Sequence, residues 1–390
     1  MALTGRPAGP PLGAPPALVD LVTGAARLLC RRSGGRADVD GLALLGERAA
    51  LRGLSRQGPV SCGGSTHLVQ AADGFVAVSL ARPDDVAALE AWLGSTVPSE
   101  DPWPAVHEMA AAATASVLDE RAALLGLPVA ALGSVAPRAG AFGLPVAAIH
   151  FDGRDAAARP IEGATVVDLS ALWAGPLCGQ LLAEAGADVI KVESVARGDG
   201  ARHGPAAFFD LLNSAKRSVA LNLGTPDGRD ALRRVIAAAD VVIESARPRA
   251  LEQMGIAAGA VLRQPRGPRV WVSITSHGRA EGAGLRVGFG DVAAVAGGLV
   301  AADDNGPCFV ADAVTDPVAG LVAAAAVLEA LHAGGRWLLD AAMAPMAAGV
   351  AGAPLAVGDL CAAPPRARAV ARAAPPLGAD TAAVLGALAP

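Results

Sequence analysis

The sequence predicts an α/β fold with a doubly wound parallel sheet and a second, smaller α+β domain. From Ala164 onward, short apolar segments alternate with amphipathic ones in the order strand, helix, strand. The segments TVVDLS, ADVIKVE, RSVALNL, DVVIES and RVWVSIT indicate buried strands, and GPLCGQLLAEAG and DGRDALRRVIAAA indicate helices. This alternation is typical of a Rossmann-like sheet, which we place at residues 151–390.

The preceding residues have a different pattern. HLVQAADGFVAVSLA, at 67–81, predicts two short strands joined by a hairpin turn at Ala-Asp-Gly. Helical stretches at 84–93 and 104–125 and an apolar LPVAAL follow, so we predict a small α+β domain at 55–150. Residues 136–162 carry Arg, Pro and Gly and indicate a linker. Residues 1–54 are predicted to be a helical and linker region, with 1–16 frayed because of their Pro and Gly content.

Two further elements are predicted near the C-terminal end of the sheet domain. A long Ala-rich helix ends at Gly334-Gly335, and a polar, Pro-rich tail closes with a short helix, DTAAVLGALA.

Composition excludes several classes of protein. The net charge is -5 and there is no polybasic stretch, so nucleic acid is not an expected partner. The five cysteines form no CxxC pair, which argues against a zinc site or a disulfide framework. The longest uncharged stretch, 341–357, is interrupted by Pro345 and Pro354, so we expect no membrane span. These features predict a cytoplasmic protein without a bound metal.

Several ordered blocks resemble one family. VVDLSALWAGPLCGQLLAEAGADVIKVES is similar to the opening of class III CoA-transferases, which include formyl-CoA and carnitine CoA-transferases. The match continues through SAKRSVALNLGTPDGRDAL, DVVIESARPRALEQMGI and PRVWVSIT, and resumes at GFGDVAAVAGGLV and VADAVTDPVAGLVAAAAVLEAL. The blocks cover 164–335, and the tail PPLGADTAAVLGALAP looks like the family's C-terminal helix.

The order of the remaining segments is unusual for this family. STHLVQAADGFVAVSLARPDDVAALEAWLG looks like the family's small domain, which usually follows the long helix and here precedes the sheet. The resemblance therefore implies a permuted member with its small domain at the N-terminus. Domain termini often lie close together on the surface, which makes such a rearrangement plausible.

The resemblance also implies an activity. Family members move CoA between carboxylic acids through an aspartyl anhydride and an aspartyl-CoA thioester, with an acyl-CoA and a carboxylate as substrates and no permanently bound cofactor. Asp316, in TDPVAG, matches the family's nucleophilic aspartate. From the residues alone, Asp followed by Pro is also the pattern of a helix N-cap with Pro at the first helical position, and Asp312 is a nearby alternative. A homodimer is expected on the same grounds.

Glycines and basic residues supply the candidate CoA-binding groups. Ala174 and Gly175 lie at a strand-to-helix turn, where backbone amides could bind an oxyanion or a phosphate. Gly63 and Gly64 match the family's glycine loop that closes over the acyl intermediate, although a flexible entry to a strand would have the same pattern. The basic candidates for the CoA phosphates, each alone equally consistent with a solvated surface charge, are Arg197, Arg202, Lys216, Arg217 and Arg247.

Some positions depart from the family pattern. Trp173 stands where formyl-CoA transferases have a glutamine that contacts the reacting group. Ser245 and Gln253 replace a common asparagine and a frequent basic residue. Phe289 stands where the racemase branch has the histidine needed for proton exchange, which disfavours an acyl-CoA racemase or lyase. The departures keep open another hypothesis: a catalytically silent relative that acts as a partner subunit or an acyl-CoA-binding module.

Overall fold

The computed structural model describes residues 2–98, 100–151, 157–246, 248–354 and 362–388. In chain order, the strands in these ranges are β1 (Thr66–Ala71), β2 (Gly74–Ser79), β3 (Val129–Ala131), β4 (Ala147–Phe151), β5 (Thr165–Asp168), β6 (Asp188–Ser194), β7 (Arg217–Leu221), β8 (Val241–Glu244), β9 (Val270–Thr275), β10 (Val300–Asp303), β11 (Gly306–Phe309) and β12 (Arg336–Ala342).

The helices in the same ranges are α1 (Pro16–Arg32), α2 (Gly41–Leu44), α3 (Glu47–Arg52), α4 (Pro83–Ala87), α5 (Leu89–Leu93), α6 (Trp103–Ala111), α7 (Ala115–Leu125), α8 (Ala174–Glu184), α9 (Ala206–Asn213), α10 (Pro226–Ala237), α11 (Pro248–Gln253), α12 (Ala258–Leu262), α13 (Gly290–Ala296), α14 (Thr315–Ala333), α15 (Met343–Val350) and α16 (Thr381–Ala387). Short 3-10 turns lie at Gly200–His203 and Ala283–Leu285.

A seven-stranded sheet confirms the predicted α/β fold. Its strand order is β4-β12-β9-β8-β5-β6-β7, and every neighbouring pair is parallel except β4 with β12 at one edge. The chain builds outward from β5 to β7 and then returns to place β8 on the other side of β5. Open α/β sheets bind ligands at such a reversal, beyond the carboxyl ends of the strands.

Helix α14 lies in the main core, packed against α8, α1 and β12. Within the described residues it is also the one helix that is long and apolar enough to cross a membrane, by length and composition. However, 78% of its apolar window is buried inside the protein. Core packing therefore accounts for its apolar character.

A second, antiparallel sheet forms the small unit. Strands β1 and β2 pair from Thr66 with Ser79 to Ala71 with Gly74, so the predicted hairpin at Ala-Asp-Gly is confirmed. Strand β3 pairs with β2, and the unit has a hydrophobic cluster of its own. The backbone N–H of Gly133 donates to the carbonyl of Val295 in α13 at 2.9 Å, which ties this unit to the large one.

Three segments differ from the sequence predictions. Residues 147–151, within the predicted linker at 136–162, form β4 and pair with β12, so the large sheet begins before residue 151. The strand β12, with α15 after it, follows Gly334-Gly335 at once, where a tail was expected. Near the N-terminus, Leu3 and Thr4 are buried and not frayed. Each of these segments is short, and it is the pairing or packing partner, distant in the chain, that orders it.

Candidate active site

A cavity of about 510 Å³ lies beyond the carboxyl ends of β5, β8 and β9, next to the reversal in strand order. The small unit contributes Arg82 to its wall. Five residues singled out in the sequence line it: Trp173, Ala174, Arg197, Ser245 and Asp316. Phe289, the position that separates the racemase branch, lines it as well. A smaller cavity of about 170 Å³ lies beside it and shares Ala171, Arg197, Gly198, Ala246 and Ala250 in its wall.

Asp316 is the one acidic side chain among the described residues that line the larger cavity. It lies in the first turn of α14, which begins at Thr315 with Val314 at the N-cap. Asp316 is therefore not the N-cap residue of α14, a role that the sequence had left open. Its carboxylate accepts the backbone N–H of Gly290, and a Cβ at Gly290 would lie 2.5 Å from Asp316 Oδ2. Only glycine leaves room for this approach.

Burial raises the pKa of Asp316 to about 7, against the opposing effects of Arg48 and the Gly290 N–H; the carboxylate of Asp312 adds to the increase. A carboxyl group with this pKa is a mixture of acid and carboxylate near neutral pH. Strongly perturbed carboxyl groups in clefts are common at catalytic sites, because the reaction needs a group that burial has destabilised.

Two more buried carboxylates lie next to Asp316. Arg48 donates two hydrogen bonds to Asp312, from Nε to Oδ2 at 2.8 Å and from Nη2 to Oδ1 at 2.5 Å. Asp291, in α13, accepts the N–H of Ala313 at 3.0 Å, and burial, with the nearby Asp312, raises its pKa to about 7. Asp312 is fully buried and engaged on both oxygens, so it does not fit the alternative role of nucleophile.

The backbone beside the cavity is strained at three non-glycine residues. Leu172 has φ 72°, Ala311 has φ 53° and Ala313 has φ 45°. Such conformations persist only where the surrounding structure imposes them, and they concentrate at functional sites. Here they flank Trp173 on one side of the cavity and Asp312 on the other.

Trp173 and Gly175, both predicted to lie at the CoA site, have different surroundings. Trp173 is 3% exposed and its Nε1 has no hydrogen-bond partner in the described chain. Its ring meets Phe208 edge-on, with centroids 5.2 Å apart. Gly175 does not line the cavity: a Cβ there would lie 2.2 Å from the Ser170 side chain, so close packing requires glycine.

The predicted CoA-binding basic residues are dispersed. Arg197 lines both cavities and its side chain is exposed. Lys216 is buried outside the cavity, where its Nζ bonds Asp168, Asn213 and the carbonyl of Pro176 within 2.9 Å. The other three lie elsewhere: Arg202 pairs with Glu193, Arg217 pairs with Asp188 at the amino end of β7, and Arg247 falls outside the described residues.

The predicted glycine loop, Gly63-Gly64, lies near the ion pair of Arg48 with Asp312 and not in the cavity wall. A Cβ at Gly63 would be 3.5 Å from Arg48 Nη2, and Gly64 has φ 81° with open space around it. The left-handed φ explains glycine at 64. The glycine loop therefore lies beside Arg48, and Arg48 in turn contacts the candidate active site.

Sequence reasoning missed several residues of the site. Arg82 lies over the ring of Phe289 at 5.5 Å, and Arg286 pairs with Asp119 of the small unit; both line the cavity. The hydroxyl of Ser276, another lining residue, has no partner in the described chain. No local motif marks these residues, because tertiary packing alone brings them together.

No histidine is among the cavity-lining residues in the described ranges, and the same ranges hold no cluster of three or more metal-ligating side chains. His277 is buried behind the wall, and burial lowers its pKa to about 4.

Comparison with known proteins gives a family match for part of the sheet unit. Residues 161–342 match the model of CoA-transferase family III. The predicted resemblance is thereby confirmed, and the matched segment contains Trp173, Phe289 and Asp316. The small unit lies outside the match, and the permuted domain order stays a prediction.

Curated relatives match part of the chain. An acyl-CoA transferase of Fusarium pseudograminearum is 34% identical over 195 residues, which are 45% of this chain and 42% of that protein. A succinyl-CoA–D-citramalate CoA-transferase of Chloroflexus aurantiacus is 32% identical, over 45% of this chain and 46% of that protein. A formyl-CoA:oxalate CoA-transferase of Escherichia coli is 40% identical, over 25% of each. This chain thus spans less than half the length of these relatives.

Among solved structures, a CAIB/BAIF family protein from Brucella suis is 32% identical, with a TM-score of 0.45, over 50% of this chain and 55% of that one.

Proposed function

We propose that this protein is a CoA-transferase that moves CoA between two carboxylic acids, with Asp316 as the nucleophile. The observation that carries the proposal is the position of Asp316: it is the acidic side chain in the wall of the switch-point cavity, with a pKa of about 7. The family match to 161–342 and the CoA-transferase names of the relatives support the same activity.

The proposed chemistry begins with the Asp316 carboxylate. It attacks the thioester carbonyl of the donor, the C–S bond breaks, and an aspartyl-acyl anhydride and CoA thiolate form. The thiolate then attacks the aspartyl carbonyl and releases the donor acid, which leaves an aspartyl-CoA thioester. The acceptor carboxylate attacks this thioester to give a second anhydride and thiolate. Attack of the thiolate on the acceptor acyl carbon forms the new acyl-CoA and restores Asp316.

The two adjoining cavities suggest how CoA binds. The thioester would lie by Asp316 in the larger cavity, and the rest of CoA would extend past Arg197 into the smaller one. Arg197 is placed to bind a phosphate, whereas Lys216 is not. The amides of Ala174 and Gly175, in the first turn of α8, are candidate donors to the developing oxyanion. Among substrates, oxalate, citramalate and succinyl groups are candidates from the relatives' names.

We extend the proposal to assembly and location. The domain units are residues 1–54, 55–150 and 151–390, with the large sheet reaching back to β4, and the protein is a cytoplasmic homodimer. Light scattering coupled to size-exclusion chromatography measures the dimer directly, since a monomer of 38.5 kDa and a dimer separate clearly. A monomeric mass at micromolar concentration would contradict this part.

The activity is tested by covalent trapping. Wild-type protein, Asp316→Ala and the control Asp304→Ala, an exposed acid outside the cavity, are mixed with formyl-, acetyl- and succinyl-CoA and quenched with hydroxylamine. We expect a hydroxamate on Asp316 in the wild type and in Asp304→Ala, located by peptide mass spectrometry, and none at that position in Asp316→Ala. The donor that gives the most adduct begins to define the substrate.

The same experiment separates the competing hypotheses. A silent relative would give no adduct with any donor and would still bind acyl-CoA, which isothermal titration calorimetry measures. A racemase would exchange the α-proton of a branched acyl-CoA for deuterium without a trapped acyl-enzyme. Phe289, at the position of the racemase histidine, lines the cavity, and this supports the transferase over the racemase.

A further inference from the structure

The N-terminal region contributes an arginine beside the candidate nucleophile. Arg48, in α3, holds Asp312 through two hydrogen bonds of 2.8 and 2.5 Å. The Asp312 side chain is 0% exposed and that of Arg48 is 22% exposed. Because a guanidinium and a carboxylate paired in this way have a fixed mutual geometry, Arg48 fixes the chain four residues before Asp316.

The same guanidinium contacts two other parts of the site. It lies 4.9 Å from the ring centre of Trp173, which lines the cavity. It also lies beside the glycine loop, since a Cβ at Gly63 would be 3.5 Å from Nη2. Arg48 therefore joins the turn before the nucleophile, the cavity wall and the glycine loop.

The turn that Arg48 holds is strained and is anchored from several sides. Ala311 and Ala313, on either side of Asp312, have positive φ. The N–H of Ala311 donates to Thr4 Oγ1 at 3.0 Å, and the N–H of Ala313 donates to Asp291 at 3.0 Å. A strained turn keeps its shape only while such anchors remain. Loss of Arg48 would remove one anchor and leave the Asp312 carboxylate buried without a cation.

We propose that Arg48 is a positioning residue for the nucleophile: it anchors the turn at 311–316 through Asp312 and brings a positive charge to the cluster of carboxylates that contains Asp316. This inference rests on the proposed role of Asp316. The charges that face Asp316 are Arg48 from α3, Asp312 from its own turn and Asp291 from α13. Arg82, Arg197 and Arg286 line the same cavity. The two neighbouring carboxylates oppose ionisation of Asp316, and Arg48 favours it.

The test compares Arg48→Met with Arg48→Lys and a matched control, Arg52→Met. Arg52 lies in the same helix and is exposed, so its loss removes the same charge without touching Asp312 or the N-terminal segment that holds Thr4. Two quantities are measured for each protein. One is the titration midpoint of the Asp316 carboxyl by carbon-13 NMR, assigned from the spectrum of Asp316→Asn. The other is the rate at which the Asp316 hydroxamate forms at pH 7.

For Arg48→Met we expect the midpoint to rise by about one pH unit or more and trapping at pH 7 to fall about tenfold. Arg48→Lys should recover part of both effects, because it keeps the charge and loses the paired geometry. Arg52→Met should resemble the wild type in both measurements.

Equal midpoints and equal trapping rates in Arg48→Met and Arg52→Met would overturn the inference. The NMR titration needs no acyl-CoA, so a wild type that traps nothing would count against the proposed function while the effect of Arg48 on Asp316 is still measured. If Arg48→Met does not fold, Arg48→Met/Asp312→Asn takes its place. That double variant leaves no unpaired carboxylate at 312, and its midpoint must lie above that of the single variant Asp312→Asn, which keeps Arg48.

Discussion

Two buried clusters of acidic and basic side chains differ in their balance of charge. In the first, Asp168 and Asp199 pair with Lys216 and Lys191 at 2.7 and 2.9 Å, two carboxylates with two ammonium groups. The second, beside the cavity, is made of three carboxylates and one guanidinium: Asp291, Asp312, Asp316 and Arg48. Both clusters combine buried carboxylates with cationic side chains, so the ratio of cations to carboxylates is the main difference between them.

The consequences of this difference are visible in the pKa values. Burial opposes ionisation in both clusters, but Lys216 and Lys191 still hold the pKa of Asp168 below its usual range. In the second cluster, burial prevails and the pKa values of Asp291 and Asp316 rise to about 7. Buried charges that are paired one to one support the fold, whereas a surplus of buried acid is destabilising unless a function requires it. The surplus of buried carboxylates over cations therefore distinguishes the candidate active site from the balanced cluster.

The largest expected effect concerns the balanced cluster. Lys216→Met should destabilise the protein by about 3 to 5 kcal/mol, because it leaves Asp168 buried without its nearest cation. Arg217→Met, at the adjacent residue, should destabilise the protein by no more than about 1 kcal/mol, since the side chains of Arg217 and its partner Asp188 are 38% and 47% exposed. Urea unfolding followed by circular dichroism measures both. If Lys216→Met instead keeps its stability and weakens CoA binding, Lys216 binds CoA and the contrast between the clusters fails.

A smaller effect of opposite sign is expected in the unbalanced cluster. Asp316→Asn should stabilise the protein at pH 8 by about 2 kcal/mol, even though it removes activity. The folded pKa of Asp316 is raised from 3.8 to about 7, so the stability that this group contributes is fully present below about pH 4. That stability is lost as the pH rises through 7.

The gain from Asp316→Asn should therefore shrink on acidification and become small near pH 4. Urea unfolding of both proteins at pH 8, 6 and 4.5 measures it, and a pH-independent difference would show that Asp316 is not the destabilised group. Asp304→Asn, at an exposed position, serves as the control and should leave stability unchanged at each pH.

The sequence predicted the fold well for a physical reason. Strands such as TVVD and VVIE are buried on both faces, so continuous apolar runs reveal them without knowledge of their neighbours. Asp316 lies at the start of a continuous apolar stretch that predicts a helix, and the surrounding segment matches a family model. Features of this kind are local in the chain, and local patterns are what a single sequence displays.

The role of basic residues could not be predicted in the same way. Lys216 in AKRS looks no different from a phosphate ligand, yet its ammonium is buried against Asp168, a residue 48 positions away. Arg48 looks like an ordinary helix residue, and only the contact with Asp312, 264 positions away, connects it with the site. Long side chains are placed by tertiary packing, which sequence periodicity does not encode.

The pH dependence of the reaction sharpens the comparison further. Since the attacking group in the proposed mechanism is the carboxylate, trapping of Asp316 should rise about tenfold between pH 6 and pH 8, with a midpoint near the pKa of about 7. An ordinary carboxyl, ionised throughout this range, would give a flat profile. Stopped-time hydroxylamine quenching in buffers of constant ionic strength records the profile. A flat result with retained activity would mean that the acid surplus does not govern the nucleophile.

The smallest expected effect concerns Arg197, the one cavity arginine whose side chain has no partner in the described chain. The other two, Arg82 and Arg286, are paired with carboxylates. Arg197→Met should raise KM for acyl-CoA about threefold to tenfold with little change in kcat or stability, because the proposed contact of its exposed side chain with the phosphates is weak and forms only in the complex. Arg36→Met is the matched control, an exposed arginine paired with Glu162 away from the cavities. Initial rates over a range of acyl-CoA concentrations give both constants. An unchanged KM would move phosphate binding to the paired arginines Arg82 and Arg286, and charge balance would then no longer distinguish ligand-binding from structural cations.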